Sequence, residues 1–191
     1  MSEDARARVA AHLRALSEVV VTAEADPGAW EELAARLEAV LAGAPTVAPT
    51  TRYERTQLDR PGEMLVGHPM FERASAVYPP VRTSLEGRSV EGAVRFGASW
   101  EGPVGAVHGG FLAAAFDLVL SELAVATLGR CVTRSLRLRY LRPVPVGELV
   151  RLDATAGERD GRLLEVTGTA SVGGRATTRA VAQFAAVSSR A

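Results

Sequence analysis

The feature that most constrains the fold is an apolar run over residues 111–128, which carries Asp117 near its middle. Its length and the lack of a polar face predict a helix that is buried on nearly all sides. The run is almost long enough to cross a bilayer, but Asp117, Ser121, Glu122 and Thr127 favour the core helix of a folded domain. Burying a carboxylate is costly unless it is paired, solvated by a cleft or used in chemistry. Asp117 is therefore a candidate functional residue.

A turn rich in glycine and proline, residues 102–110, leads into this run and ends in His108-Gly109-Gly110. Two glycines at a helix start leave backbone N–H groups available to an oxygen that carries negative charge. A helix end lined with donors and a carboxylate on the same helix are the parts expected of acyl hydrolysis.

The spacing of these two parts predicts an oligomer. Asp117 lies nine residues after His108, which corresponds to about 13 Å along a helix axis and about half a turn around it. The two side chains therefore cannot meet within one chain. A two-fold dimer with antiparallel copies of the helix would place Asp117 of one subunit near His108-Gly109-Gly110 of the other, twice.

Composition excludes several classes of function. A length of 191 residues indicates one domain with an extension, and a net charge of zero argues against nucleic-acid or membrane-surface binding through bulk charge. The single cysteine, Cys131, and an acidic start without an apolar signal core predict a cytoplasmic protein. His12, His68 and Cys131 lack metal-ligand spacing, so no metal site is expected, and no serine lies in a nucleophile-elbow context.

The first 44 residues predict a helical extension. Residues 3–24 repeat apolar side chains at helical spacing, and a second helix begins at Asp26-Pro27 and ends at Gly43. The apolar face of the first helix comprises Val9, Leu13, Leu16 and Val20. We expect a helical hairpin over 1–44 that packs on the core or lengthens a dimer contact. Residues 45–77 are irregular, with a short helix near Met70–Ala76, and are expected to link the extension to the domain or to cover a binding tunnel.

From residue 78 to 191 the sequence predicts a single α+β domain, because the apolar period changes to two at Val81. The predicted strands are 81–86, 89–96, 131–141, 148–158, 162–172 and 175–187. With the apolar helix after the second strand, this order favours an antiparallel sheet packed on one long helix. In the strand 131–141, alternation predicts one face that packs on the helix, made of Val132, Leu136, Leu138 and Tyr140, and an opposite face made of Thr133, Ser135, Arg137 and Arg139.

This order, together with three motifs, resembles the hotdog-fold acyl-CoA thioesterases of the phenylacetate-pathway (PaaI-like) branch. The motifs are residues 105–110 with Asp117 nine residues after the histidine, Thr133 followed by residues 140–143 and Gly147, and Gly173-Gly174 before a last strand that ends near Phe184. The resemblance covers about residues 78–188. It implies a sheet wrapped around the central helix, dimers with a continuous sheet that are often doubled into tetramers, and a thioester bound between subunits.

The resemblance also implies roles for individual residues. The N–H of Gly110 would polarise the thioester carbonyl, and His108 would orient the loop or assist in that polarisation. Asp117 of the facing subunit would activate water or act as the nucleophile, and Thr133 would help to hold the attacking water. The expected substrate-binding residues are Gly109, Phe111, Ser121, Arg139 and Arg142. Arg137, Arg139 and Arg142 are candidates for binding the phosphates of coenzyme A or for a contact between subunits.

Gly102 departs from the family pattern, because many relatives have Asn or Gln about six residues before the histidine. The contribution of that amide is therefore expected to be absent or supplied by backbone. The expected activity is hydrolysis of acyl-CoA or of an acyl group on a carrier protein, with coenzyme A as part of the substrate and no separate cofactor. Two alternatives stay open: a hotdog enoyl-CoA hydratase or dehydratase, although its Asp-to-His signature is not found, and a non-catalytic module for acyl-thioester binding or assembly.

Overall fold

The computed structural model describes residues 5–44 and 75–187, so nearly all of the predicted linker lies outside the described residues. The helices are α1 (Ala5–Thr22), α2 (Pro27–Ala42) and α3 (Gly109–Leu128), and a short 3-10 helix spans Ala98–Trp100. The strands are β1 (Arg82–Glu86), β2 (Ser89–Arg95), β3 (Cys131–Tyr140), β4 (Leu149–Asp160), β5 (Leu163–Val172) and β6 (Arg175–Ala186). The predicted order of helices and strands is confirmed within these residues, and the short helix predicted near Met70–Ala76 lies almost entirely outside them.

The six strands form one antiparallel sheet with the order β1-β2-β4-β5-β6-β3. Helix α3 packs against β2, β3, β4, β5 and β6. Its length and hydropathy would also allow it to cross a membrane. The predicted α+β hotdog arrangement, a sheet wrapped around one long helix, is confirmed, and it leaves β3 at one edge of the sheet.

The core lies between α3 and the sheet. Phe116, Leu120 and Phe184 are among its largest fully buried side chains, and burying each contributes about 1.5–3 kcal/mol. The helix approaches the sheet closely at Gly168, where an added Cβ would lie 3.1 Å from Leu120 Cδ2. A similar approach occurs at Gly92, so small residues on the sheet set the depth at which α3 sits.

Strand β3 contains a β-bulge that the sequence pattern did not predict. Its pairing with β6 passes from Thr133–Phe184 to Ser135–Gln183, which leaves Arg134 as an extra residue. An extra residue reverses the alternation of side chains, because every later residue faces the side opposite to that expected from the first part of the strand.

The bulge changes which residues face α3. Cys131 and Thr133 face the helix before the bulge, as shown by the burial of Cys131 and the contact of Thr133 with Asp117. The predictions that Val132 packs on the helix and that Thr133 shares a face with the arginines are therefore wrong; Val132 is 50% exposed. The prediction is confirmed after the bulge for Leu136 and Leu138, which pack on the core, and for Tyr140, which contacts the start of α3.

Both helices of the N-terminal extension are present. Asp26 caps α2 by accepting the N–H of Ala29 at 3.0 Å, and α2 has no buried residue in the described part of the chain. The apolar face of α1 does not pack on the core of its own chain, because Val9, Leu13 and Val20 are all exposed; its predicted alternative, a dimer contact, stays a prediction. The side of α1 that meets the domain carries the buried Ala10 and the hydrogen-bonding side chains of Arg14 and Glu18.

Candidate functional site

A tight hairpin, residues 101–107, directly precedes His108 at the start of α3. The N–H of His108 donates to the carbonyl of Trp100 at 2.9 Å, and the N–H of Val107 donates to Val144 at 2.8 Å. An added Cβ at Gly102 would lie 2.8 Å from His108 Cα. The departure from the family pattern at this position therefore has a steric reason: no side chain fits there without moving His108.

His108 is the N-cap residue of α3, and its side-chain Nδ1 accepts the N–H of Gly110 at 3.0 Å. Because Nδ1 acts as an acceptor, the proton of the neutral imidazole is on Nε2. The exposed ring also meets Phe111 edge-on, with 5.9 Å between ring centroids. The helix cap therefore fixes the tautomer and orientation of His108 and makes Nε2–H a potential donor.

The predicted oxyanion donor needs a correction. The N–H of Gly110 is already engaged by His108, because an N-cap side chain reaches the second or third N–H of the helix and leaves the first one free. Within the described part of the chain, the N–H of Gly109 has no hydrogen-bond acceptor. Gly109 also lines a cavity of about 370 Å³ beside the helix start. The available donor is thus at Gly109.

Tyr140 holds this helix start from the edge strand. Its hydroxyl donates to the carbonyl of Gly109 at 2.8 Å, and an added Cβ at Gly109 would lie 2.9 Å from that hydroxyl. The 109–110 peptide therefore accepts from Tyr140 through its C=O and donates to His108 through its N–H, and the two bonds polarise it in the same sense. The sequence pattern placed Tyr140 on the face of its strand that packs on the helix but did not predict its contact with Gly109.

Asp117 lies on a partly exposed stripe of α3 and is itself half-buried. The stripe comprises Gly110, Ala113, Ala114, Asp117 and Ser121. Asp117 Oδ1 accepts the hydroxyl of Thr133 at 3.1 Å. Burial raises the pKa of Asp117 and the hydrogen bond from Thr133 lowers it, with a net shift above the usual value. Asp117 and Thr133, two of the predicted site residues, are therefore in contact within one chain.

His108 and Asp117 form two separate clusters in the chain. They lie at the start and at the ninth residue of the same continuous helix, which keeps them about 13 Å apart along its axis. The structure of one chain therefore does not bring the predicted donor end and the predicted carboxylate together.

The arginines also separate into two groups. Arg142 lines the cavity, and its guanidinium donates to the carbonyl of Ala176 at 2.8 Å. Arg137 and Arg139 alternate with Leu136 and Leu138, so they lie on the face of β3 directed away from α3. Only Arg142 of the three lies beside the cavity in its own chain.

Sequence reasoning missed Tyr78, which is fully buried next to the first turn of α3. Its hydroxyl donates to the carbonyl of Phe111 at 2.6 Å, and its ring meets Phe96 edge-on. Burial raises the pKa of Tyr78, so it acts as a neutral donor. An aromatic residue directly before Pro79-Pro80 was the available signal, but nothing local indicated its partner.

Comparison with known proteins identifies the family. Residues 104–178, which include His108, Asp117 and Thr133, match the model of the thioesterase superfamily. A phenylacetic acid degradation-related protein from Ralstonia eutropha JMP134 is 32% identical, with a TM-score of 0.52, and the match covers 55% of this chain and 83% of that protein. The chain belongs to the thioesterase superfamily. The resemblance to the PaaI-like branch is confirmed.

Two further solved structures show how far the fold of this thioesterase-superfamily chain is shared. A thioesterase superfamily protein, RHA08564, is 24% identical with a TM-score of 0.82, and the match covers 95% of both chains. A Streptococcus mutans protein, smu.793, solved with acetyl-CoA bound, is 17% identical with a TM-score of 0.56, and the match covers 60% of this chain and 94% of that one. The first similarity is long enough to include N-terminal helices as well as the hotdog domain.

Proposed function

We propose that the protein is a cytoplasmic thioesterase that hydrolyses acyl-CoA, or an acyl group on a carrier protein, at sites formed between two copies of the chain. The observation that carries the proposal is Asp117, a half-buried carboxylate that Thr133 holds on the open stripe of the central helix in a thioesterase-superfamily fold. The binding of acetyl-CoA by the Streptococcus mutans relative supports a coenzyme A thioester as the substrate.

The edge strand β3 supports the two-chain arrangement. In the described residues it pairs only with β6, so its other edge leaves a row of backbone donors and acceptors unpaired. Two-fold pairing of β3 with its copy would continue the sheet and place the two α3 helices side by side and antiparallel. Asp117 of one subunit would then lie near His108 and Gly109 of the other. Within one chain these residues cannot meet, because they are too far apart along the same helix.

The chemistry follows from the two clusters. The N–H of Gly109 and Nε2–H of His108 donate to the thioester oxygen, where negative charge develops. Asp117 takes a proton from water as the water oxygen bonds to the carbonyl carbon, or the carboxylate attacks first and water hydrolyses the mixed anhydride. The C–S bond breaks, and the leaving thiolate takes up a proton to give the free thiol. Thr133 keeps the carboxylate in place.

The cavity beside Gly109 is proposed to receive part of the substrate. Its walls are mainly apolar, with Leu112 and Val144 among them, and Tyr140 and Arg142 add polar groups. We assign the acyl group to the apolar wall and a phosphate of coenzyme A to Arg142. No separate cofactor takes part in the proposed reaction.

The direct test is thiol release from short, medium, long and aromatic acyl-CoAs, with Asp117→Ala measured in parallel. The proposal predicts turnover of at least one class and loss of that turnover in the variant. If no acyl-CoA releases thiol, the remaining candidates are a thioesterase for carrier-bound acyl groups and a non-catalytic binding module. Assays with acylated acyl carrier protein and binding measurements would distinguish these two. Hydration of an enoyl-CoA without thiol release would establish the alternative enzyme.

Complementation tests the two-chain site. Asp117→Asn and His108→Ala chains should each have little activity alone, but a mixed dimer would hold one intact site and one doubly altered site. Random mixing of equal amounts makes about half of the dimers mixed, so about a quarter of wild-type activity should return. If each site lay within one chain, every site in the mixture would carry one substitution and no activity would return.

A further inference from the structure

The side chain of Glu18 on α1 joins the N-terminal extension to the domain. It binds a small site, hereafter the socket, that comprises Gly97, Ala98 and Ser99. The Glu18 carboxylate accepts the backbone N–H groups of Ala98 and Ser99, the second at 3.0 Å, and the Ser99 hydroxyl at 2.9 Å. These groups open the 3-10 helix Ala98–Trp100, hereafter the 98–100 turn, whose N-cap residue, Gly97, has no side chain to satisfy them. Glu18 thus caps this turn from a different element of the chain.

The lack of a side chain at Gly97 leaves room for the Glu18 carboxylate in the socket. An added Cβ there would lie 2.7 Å from both carboxylate oxygens of Glu18. Its backbone angles, φ −86° and ψ −169°, are extended and open to any residue. Glycine therefore provides room for the carboxylate rather than an unusual conformation. Burial raises the pKa of Glu18, but the hydrogen bonds from Ser99 and Ala98 lower it by more, so the carboxylate stays charged.

The 98–100 turn continues directly into the site. The carbonyl of Trp100 accepts the N–H of His108 at 2.9 Å, so the N-cap of α3 is held by the last residue of the turn. Trp100 is itself fixed, because its ring is buried and its indole N–H donates to the carbonyl of Val77 at 3.4 Å. The backbone of the turn therefore connects the hydrogen bonds of Glu18 at one end with the hydrogen bond to His108 at the other.

We propose that Glu18 is a positioning residue for the thioesterase site: helix α1 of the extension holds the 98–100 turn, and the turn sets the position of His108 and of the Gly109 donor. The inference rests on the proposed function for its kinetic readout only. Loss of the carboxylate lets the turn and the N-cap shift. Small misplacements of the groups that bind the reacting atoms reduce turnover strongly, whereas substrate binding elsewhere is unaffected.

The test compares Glu18→Gln, Gly97→Ala and the matched control Glu31→Gln. Glu31 is an exposed glutamate on α2, so its substitution changes the charge of the extension equally without touching the socket. Glutamine at 18 has one acceptor oxygen instead of two, and alanine at 97 displaces the carboxylate. We expect both socket variants to lower kcat about tenfold with KM within about twofold of wild type, while the control matches wild type.

A second readout needs no turnover. Amide hydrogen exchange over residues 97–110 should rise in both socket variants and not in the control, with unchanged exchange in strands β4 and β5. The double variant Glu18→Gln/Gly97→Ala should lose no more than either single one, because both act on one contact. If the protein released no thiol at all, the proposed function would fail and the exchange result would still decide the inference.

Two results would overturn it. One is equal kcat and equal exchange in the socket variants and the control. The other is a loss of kcat accompanied by faster exchange throughout the sheet, which would show that Glu18 contributes only to general stability.

Discussion

Replacing Asp117 with asparagine should move activity and stability in opposite directions. Asparagine keeps the volume of the side chain and an oxygen that accepts the Thr133 hydroxyl, whose bond to Asp117 is 3.1 Å long. It cannot accept a proton from water or attack a thioester. Removal of a general base typically lowers kcat by about 10²- to 10⁴-fold, and a fall of that order is expected in thiol release.

The stability change has the opposite sign. Burial holds the pKa of Asp117 in the folded chain above that in the unfolded chain, so the folded state resists ionisation of this group. The stabilisation linked to the protonated acid is present below the unfolded pKa and is lost as pH rises through the folded pKa. At neutral pH the wild-type protein therefore carries the cost of a half-buried charge, and the asparagine variant does not.

The size of the gain is small. Each unit of upward pKa shift costs about 1.4 kcal/mol at neutral pH. Partial exposure to solvent reduces this cost, so the gain should be about 1 kcal/mol or less, which corresponds to a rise in Tm of up to about 4 °C for a chain of this size.

Thermal unfolding of the wild-type protein and the Asp117→Asn variant across a pH series would measure this gain in Tm. The difference in Tm between the two proteins should shrink as pH falls towards about 4. A variant that is less stable than wild type at neutral pH, or a difference that does not change with pH, would refute the reasoning. So would a kcat within tenfold of wild type.

Three further substitutions test single contacts. Thr133→Val removes a hydrogen bond that favours the charged form of Asp117, so the acid limb of the kcat/KM profile should move to higher pH. Tyr140→Phe removes one neutral hydrogen bond to Gly109, worth about 0.5–1.5 kcal/mol; kcat should fall about 2- to 12-fold, and a loss beyond a hundredfold would make Tyr140 a participant in the chemistry. Gly168→Ala adds a Cβ 3.1 Å from a core side chain and should lower the free energy of unfolding by about 1–3 kcal/mol in denaturant titration.

Periodicity and turn chemistry were enough to predict the elements and an antiparallel sheet packed on one helix, whereas the wrapping of the sheet around that helix was implied by the family resemblance. The apolar run at 111–128 had no polar side and therefore had to be enclosed, and short turns joined three of the consecutive strand pairs. The hairpin glycines Gly87, Gly161 and Gly173 all have φ near +55°. Because this conformation favours glycine, glycine at these positions allowed the turns to be predicted from the sequence.

Contacts between elements could not be predicted in the same way. The bulge at Arg134 depends on pairing with β6, and an arginine in a strand gives no local sign of it. Helix α1 meets its own domain through the polar side chains of Glu18 and Arg14 and not through Val9 and Val20, and its apolar periodicity does not indicate such contacts. The resemblance placed the donor at Gly110, and the sequence does not show that His108, in capping the helix, accepts that N–H.

The glycines around the start of α3 serve a different purpose from those in the turns. Gly97, Gly102 and Gly109 all have ordinary negative φ, yet an added Cβ at each would lie under 3 Å from a carboxylate, from the backbone of His108 or from a phenol, respectively. A side chain at any of these three positions would therefore force a neighbour to shift: the carboxylate end of Glu18, the backbone of His108 or the hydroxyl end of Tyr140. Because an alanine at these positions strains no backbone angle, its cost falls on the positions of these neighbours. Such substitutions should impair turnover more than stability, which distinguishes them from substitutions at the turn glycines.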